Sequence, residues 1–440
     1  LWRGSLQRKN LLTMVLRNGV PEAVNPGIDM GGSVRVLLPG CGWGFAAFNS
    51  IDDIEQSAED AICASKAIVP DEAIRIADVE PVITKISDEL TDDFREHSMD
   101  EKYRLLEDYD GLIEGRDARI VERMLRYQEE FSELYMLTTE GTRIERFRAD
   151  GTIRCVVRAT DGKQVQAAHR SFATRHSFAD IAQRQKMIED VIATALGLVE
   201  AKDVEGGVYT TILNPALAGV FIHEAFGHLS EADHIEENPQ AQEMMQLGRR
   251  FGPDFLNVYD DGGIVPSIRG TILYDDEGVP AEKTYLIKEG VLVGRLHSRQ
   301  TAAKLNEKPT GNARAEDYRC EPIVRMSNTA IEAGPHKAQN IFDGIEKGIY
   351  AIDAYGGQTE LENFSFSAGH AFMIRDGAIA EMVRNVVLQG NLFETLKNIE
   401  GIADDFEWDT SGGYCGKDGQ WAPTTEGSPH IRIKNVMIAG

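Results

Sequence analysis

Past residue 205 the chain is dominated by strand-like runs, and one helical segment interrupts them. GVYTTIL (207–213), RGTILYD (269–275), KTYLIKEGVLVGRLH (283–297), FSFSAGHAFMIRDGAIAEMV (364–383) and PHIRIKNVMIA (429–439) are rich in β-branched and aromatic residues. Glu289-Gly290 and Asp376-Gly377 supply two-residue hairpin turns within them. The first half alternates strands and helices instead. Asn18-Gly19 and Asp150-Gly151 read as hairpin turns there, and helices are expected after Asp52 or Asp53, over 117–136 and over 178–199. In the second of these, Ile120, Met124, Gln128, Phe131 and Tyr135 fall near one helical stripe. A strand–turn–strand–helix order thus occurs twice, a hint of internal duplication. The expected fold is α+β: a mixed α/β N-terminal domain over 1–203, then a β-rich domain over 204–440 carrying the one prominent helix.

That helix follows the strand Val208–Leu213. Asn214 suits its N-cap and Pro215 its first turn, while Leu217, Val220, Phe221 and Ala225 supply a buried face. It runs into FIHEAFGHLSEADH (221–234), where His223 and His228 flank Glu224 with one residue more than the H-E-x-x-H of zinc peptidases. Residues five apart on a regular helix point about 140° away from each other, so both imidazoles cannot bind one metal there. A single π turn absorbs the extra residue, and such turns concentrate at functional sites. We therefore expect a distorted or ended helix between Glu224 and His228, eased by Gly227.

A catalytic zinc usually takes three protein ligands and keeps one position open. From residue chemistry the third arm is either a downstream group among Glu231, Asp233 and His234, or Cys415, whose glycine-rich surroundings (Gly412, Gly413, Gly416, Gly419) read as a tight exposed loop. His297 and His370 fall in strand-like runs and are expected to be structural.

The excess of 71 acidic over 46 basic side chains, a net charge of −25, opposes direct nucleic-acid binding. No stretch is long and apolar enough to span a bilayer. Five cysteines without a CxxC pair read as reduced thiols, so a cytoplasmic location is expected.

HEAFGH followed by LSEAD, then PTGNARAEDY, RMSNT and the late GGYCGKDGQ, together resemble the TldD/PmbA family of metalloproteases, in its metal-bearing TldD-like branch. The resemblance implies zinc, one ion per chain, held by His223, His228 and Cys415, with Glu224 as catalytic base; Glu231, from its place downstream of the motif, stays an alternative ligand or supporting residue. It further implies hydrolysis of unfolded or short peptides bound in extended form, trimming of leader segments, and a homodimer or a heterodimer with a PmbA-like homologue. Family members carry an additional helix before their first strand, so it also implies an incomplete or divergent start at Leu1. Two other activities stay open: a regulatory or adaptor protein of the gyrase-modulator type, and a non-peptidase hydrolase with a His₂Cys site, for which iron is the alternative metal.

Overall fold

The computed structural model describes every residue except 237 and 361. Its first half is organised around one seven-stranded sheet. Strands β1 (Trp2–Arg17), β2 (Val20–Leu37) and β3 (Trp43–Phe48) form an antiparallel meander followed by helix α1 (Ile54–Ala67). After β4 (Ile83–Ser87) and α2 (Met99–Ile113), strands β5 (Ile120–Thr138), β6 (Arg143–Thr160) and β7 (Val165–Thr174) form a second meander, followed by α3 (Phe178–Ala182) and α4 (Gln185–Glu200). β1 and β5 pair antiparallel and join the two meanders, while β4 runs parallel to the start of β6. The repeated order of strands then helix is therefore present in one continuous sheet.

Two expectations fail here for clear reasons. Residues 120–138 form a strand rather than a helix, with Leu125, Tyr127, Glu129 and Phe131 buried at every second position. Ile120, Met124 and Gln128 are four apart, and an even spacing shares one face of a strand just as it shares one face of a helix. Asp150-Gly151 is not a turn but lies inside β6. A Cβ at Gly151 would sit 2.3 Å from the Phe94 ring, and the Asp150 carboxylate binds Arg269 at 2.9 Å. Glycine and aspartate occur together there because of packing and charge pairing. Asn18-Gly19, Glu289-Gly290 and Asp376-Gly377 do turn the chain, all with positive φ.

One face of this sheet carries the helices. Leu106, Tyr109 and Ile113 of α2 and Ile188, Val191 and Ala195 of α4 pack on Leu16, Leu125, Tyr127 and Phe131. The opposite face is polar and is tied to the second half of the chain by buried ion pairs. Asp150 meets Arg269 at 2.9 Å, Arg146 meets Asp276 at 3.0 Å, and Arg35 meets Glu277 at 3.0 Å. Burial alone would raise the Asp150 and Asp276 carboxyl groups. Arg269 with Arg148, and Arg146 with Arg3, outweigh it and hold both below the usual range. Their folded values lie below their unfolded ones, so these pairs stabilise the fold above the unfolded carboxylate pKa of about 3.9 and lose that contribution as pH falls below it. Asp150→Asn should destabilise the protein by about 3–5 kcal/mol at pH 7, because Arg269 stays buried without its counter-charge. Urea unfolding of both proteins at pH 7 and pH 3 checks this, with the difference between them shrinking at the lower pH.

The second half begins with β8 (Lys202–Asp203), β9 (Gly207–Leu213) and the motif helix α5 (Pro215–Ile222). Short elements follow: α6 (Ala232–Glu236), α7 (Pro239–Met244), β10 (Val258–Asp261), β11 (Lys283–Lys288), β12 (Val291–Leu292), α8 (Arg299–Leu305), β13 (Ala313–Arg314), β14 (Ile323–Val324) and β15 (Asn328–Ile331). Then come β16 (Lys347–Glu360), β17 (Asn363–Arg375), β18 (Ala378–Arg384), β19 (Val387–Asn391), α9 (Leu392–Lys397), β20 (Ile399–Ile402), β21 (Glu407–Trp408), β22 (Tyr414–Lys417), β23 (Gln420–Pro423), β24 (Thr425–Ser428) and β25 (Ile431–Ala439). RGTILYD is not a strand. Leu273 adopts a positive φ there, and the segment folds as a loop whose Asp275 accepts three backbone N–H groups.

An eight-stranded sheet runs β16-β9-β25-β19-β17-β18-β8 with β20 paired to β25, and a further β16–β17 pairing closes five of its strands into a ring. A six-stranded sheet runs β12-β11-β10-β15-β24-β21. Helix α5 is buried between the two: Phe221 meets the rings of Phe364 and Phe366, while a Cβ at Gly219 would stand 2.9 Å from Glu426 on β24. The α+β class and the β-rich second half are therefore those expected.

Candidate metal centre

Asn214 caps α5 by accepting the Leu217 N–H at 3.0 Å, with Pro215 in the first turn. The helix then widens into a π turn over His223–Gly227, in which the His228 N–H reaches back to the His223 carbonyl. The two imidazoles end 5.3 Å apart between ring centres and nearly perpendicular. Gly227 is needed for a different reason from the one expected. Its backbone is ordinary right-handed helix, with φ −58° and ψ −53°, but a Cβ there would lie 2.0 Å from the sulfur of buried Met326. The glycine lets the π turn seat against its neighbour.

Cys415 enters from β22, which forms a hairpin with β23 through Asp418-Gly419, both at positive φ. It is 4% exposed and is not part of an open loop. Strand alternation turns Cys415 and Lys417 inward and leaves Tyr414 and Gly416 exposed. Buried Arg325 donates to the Cys415 carbonyl and, at 3.2 Å, to that of Gln420, fixing the hairpin. The ligand atoms of His223, His228 and Cys415 all lie within 4.8 Å of one another, with Cys415 Sγ 3.3 Å from His228 Nε2. A tetrahedral ion with bonds of about 2.0–2.3 Å holds such atoms roughly 3.3–3.6 Å apart. Two imidazoles and a thiol at this separation fit a metal ion, and they are the one such group among the described residues.

Carboxylates stand behind both histidines. Glu231 Oε2 lies 3.0 Å from His228 Nδ1, in hydrogen-bonding geometry. Glu426 Oε1 lies 3.0 Å from His223 Nδ1 but off the line of a hydrogen bond, an electrostatic contact. Each contact leaves Nε2 as the nitrogen available to a metal, the arrangement that orients histidine ligands. Burial opposes charge on Cys415, yet hydrogen bonds with His223 and His228 outweigh it and bring the thiol down to about 6. Burial also opposes charge on His228, and contacts with Cys415 and Glu231 outweigh it, raising the ring to about 9. Glu231, wholly buried, is pulled down to about 2 as Lys417 and His228 overcome its burial. The cysteine is thus poised as thiolate, the form that ligates metals.

Of the other expected candidates, Asp233 pairs with Lys417 at 2.7 Å and His234 is half exposed outside the cluster. Glu224 is part-exposed beside the centre, with Oε2 3.9 Å from His228 Nε2. His297 sits in the turn before α8 rather than in a strand, bonded to Thr301 at 3.0 Å and near Glu307 at 3.1 Å. His370 lies in β17, away from the cluster. Sequence reasoning missed Glu426, Arg325 and Lys417. The need for a carboxylate behind each histidine was the only available signal, and it does not say which of many carboxylates folds there.

The PmbA/TldA metallopeptidase C-terminal domain matches residues 206–440, its central domain 92–199 and its domain 1 residues 5–69. The chain is 45% identical over 427 residues to a metalloprotease of Synechocystis sp., covering 97% of this chain and 91% of the relative. It is 29% identical over 419 residues to a zinc metalloprotease TldD homolog of Saccharolobus solfataricus, covering 95% and 91%. A crystal structure from Thermotoga maritima, of a candidate modulator of a DNA gyrase, shares the fold with TM-score 0.82 at 18% identity, over 100% of this chain and 96% of that one. With the matched domains and the histidine motif together, the chain belongs to the PmbA/TldD family of metallopeptidases, in its metal-bearing TldD-like branch.

Proposed function

We propose that this protein is a zinc peptidase acting on unfolded or short peptides, including leader segments of modified peptides, which it binds in extended form. The observation that carries this reading is one cluster: two imidazoles and a thiolate within ligand distance of each other, with the Glu224 carboxylate beside them. His223, His228 and Cys415 hold the ion, and zinc there supplies Lewis acidity toward a water and the scissile carbonyl. Glu224 takes the proton of the attacking water on a carboxylate oxygen and passes it to the departing amine. Glu231 and Glu426 keep the imidazole rings oriented and enrich their electron density. A homodimer, or a heterodimer with a PmbA-like homologue, is the assembly we favour.

Access to the site supports this substrate class. His223 and Cys415 are 3% and 4% exposed, so a scissile bond reaches them only on a chain thin enough to enter. A flexible peptide and a tightly folded domain, incubated with zinc-loaded protein and followed by mass spectrometry, test this directly. Cleavage of the peptide alone, abolished by a chelator, is expected. Equal cleavage of both would count against a recessed site, and chelator-resistant cleavage against the metal. Absence of any cleavage would favour the regulatory reading.

The carboxylates behind the histidines give a further expectation. Glu426→Ala and Glu231→Ala should each weaken zinc binding by about 10–100-fold, the usual effect of losing such a partner. Competition with a colorimetric chelator measures it.

A further inference from the structure

On the sheet face opposite the N-terminal helices, a cavity of about 740 Å³ lies between β1, β5 and β6 on one side and the second half of the chain on the other. The protein as a whole carries a net charge of −25, yet this cavity is lined by seven basic and five acidic side chains. The acids are already engaged. Asp150 binds Arg269 and Arg148, Asp276 binds Arg146, and Glu130 lies 3.7 Å from Lys9. Asp275 accepts the N–H groups of Glu277, Val279 and Ala313, and Glu316 accepts that of Trp421.

Three of the cations have no such partner. Arg126 and Arg154 are exposed and directly opposite each other across β5 and β6, and neither has a carboxylate within ion-pair distance among the described residues. Like charges opposed across a strand pair are destabilising. Arg314 is 5% exposed and donates to the carbonyls of Met326 and Pro423, with Asp276 and Asp260 nearby but no carboxylate at ion-pair distance among the described residues. Arg126 and Arg154, facing each other at one end of the cavity without a counter-charge, form a fork-like receptor for an anion. Tyr414 and Trp421 add aromatic surface to the same wall. Tyr414 immediately precedes Cys415, which faces the histidines, so the cavity and the metal centre share one hairpin.

We infer that Arg126 and Arg154 form a carboxylate-binding subsite for the peptide substrate, one that favours chains bearing acidic side chains or a free C-terminus on the segment that crosses this cavity. The inference takes the identity of its ligand from the peptidase reading, but its test needs no turnover. Fluorescence anisotropy with full-length Glu224→Gln protein, used to prevent hydrolysis, would compare three labelled peptides. One contains glutamates and ends in an amide, a second has glutamines in their place and an amide end, and the third has glutamines and a free carboxylate end.

The glutamate peptide should bind at least about tenfold more tightly than the amidated glutamine peptide, the scale of a lost charge-assisted hydrogen bond. That advantage should shrink between about 50 and 300 mM salt and disappear in R126Q/R154Q. R126K/R154K, which keeps both charges, should retain part of it, and unchanged melting temperatures would show that the variants fold. Tighter binding of the third peptide than the second assigns the subsite to the chain end as well. Equal binding of all three, or an acidic preference that survives R126Q/R154Q, overturns the inference. Arginine-dependent acidic preference with no cleavage of any peptide by the wild type would leave the subsite standing and sink the peptidase reading. Cleavage without acidic preference would do the reverse.

Discussion

Glu224→Gln should lower peptide hydrolysis by about 10²–10⁴-fold, the usual contribution of a positioned general base, and should leave zinc content unchanged. The two readouts separate because Glu224 lies outside the ligand cluster, with its carboxylate 3.9 Å from His228 Nε2. Glutamine keeps the size and polarity of the side chain and removes only its ability to accept the proton, so the fold and the histidines stay in place. Steady-state cleavage of a fluorogenic peptide, paired with elemental analysis of the same preparations, gives both numbers. Activity within a few-fold of wild type at full zinc content would remove Glu224 from the mechanism. Loss of zinc together with activity would instead make it part of the metal site.

Cys415→Ala should strip most of the zinc, and peptidase activity with it. The thiolate is the only anionic arm of the cluster, and its removal leaves two imidazoles on one π turn to hold a dication. Elemental analysis of wild type and variant purified side by side decides the matter. Full zinc in both would assign the third arm elsewhere, with Glu231 the next residue to replace. Adding a chelator should also lower the variant's melting temperature less than it lowers the wild type's, because the variant has little bound metal to lose.

The parts of this protein readable from its sequence are those in which chemistry and local geometry act within a few residues. The cap at Asn214, the π turn demanded by a five-residue histidine spacing, and three of the four expected hairpin turns all belong to that class. The misreadings have one cause, which is that distant parts of the chain decided the outcome. Gly151 is set by the ring of Phe94 and Asp150 by Arg269, more than a hundred residues away, so a turn-like dipeptide sits in mid-strand. Residues 120–138 match a helical stripe, yet strands β1 and β6 on either side draw them into the sheet. Cys415 has the glycine-rich flanks of a loop, but Arg325 and strand pairing bury it. Glu426 carries no signature at all and becomes meaningful only when β24 is laid against Gly219.

The hairpin that carries Cys415 has a consequence for biosynthesis. Its thiol lies 187 residues downstream of His228, so a nascent chain displays the histidine pair long before the third donor is made. A polypeptide cut short anywhere in that interval has only part of the His223, His228 and Cys415 donor set. On the proposed peptidase reading, cleavage would therefore wait until residue 415 has been made and β22 has paired with β23.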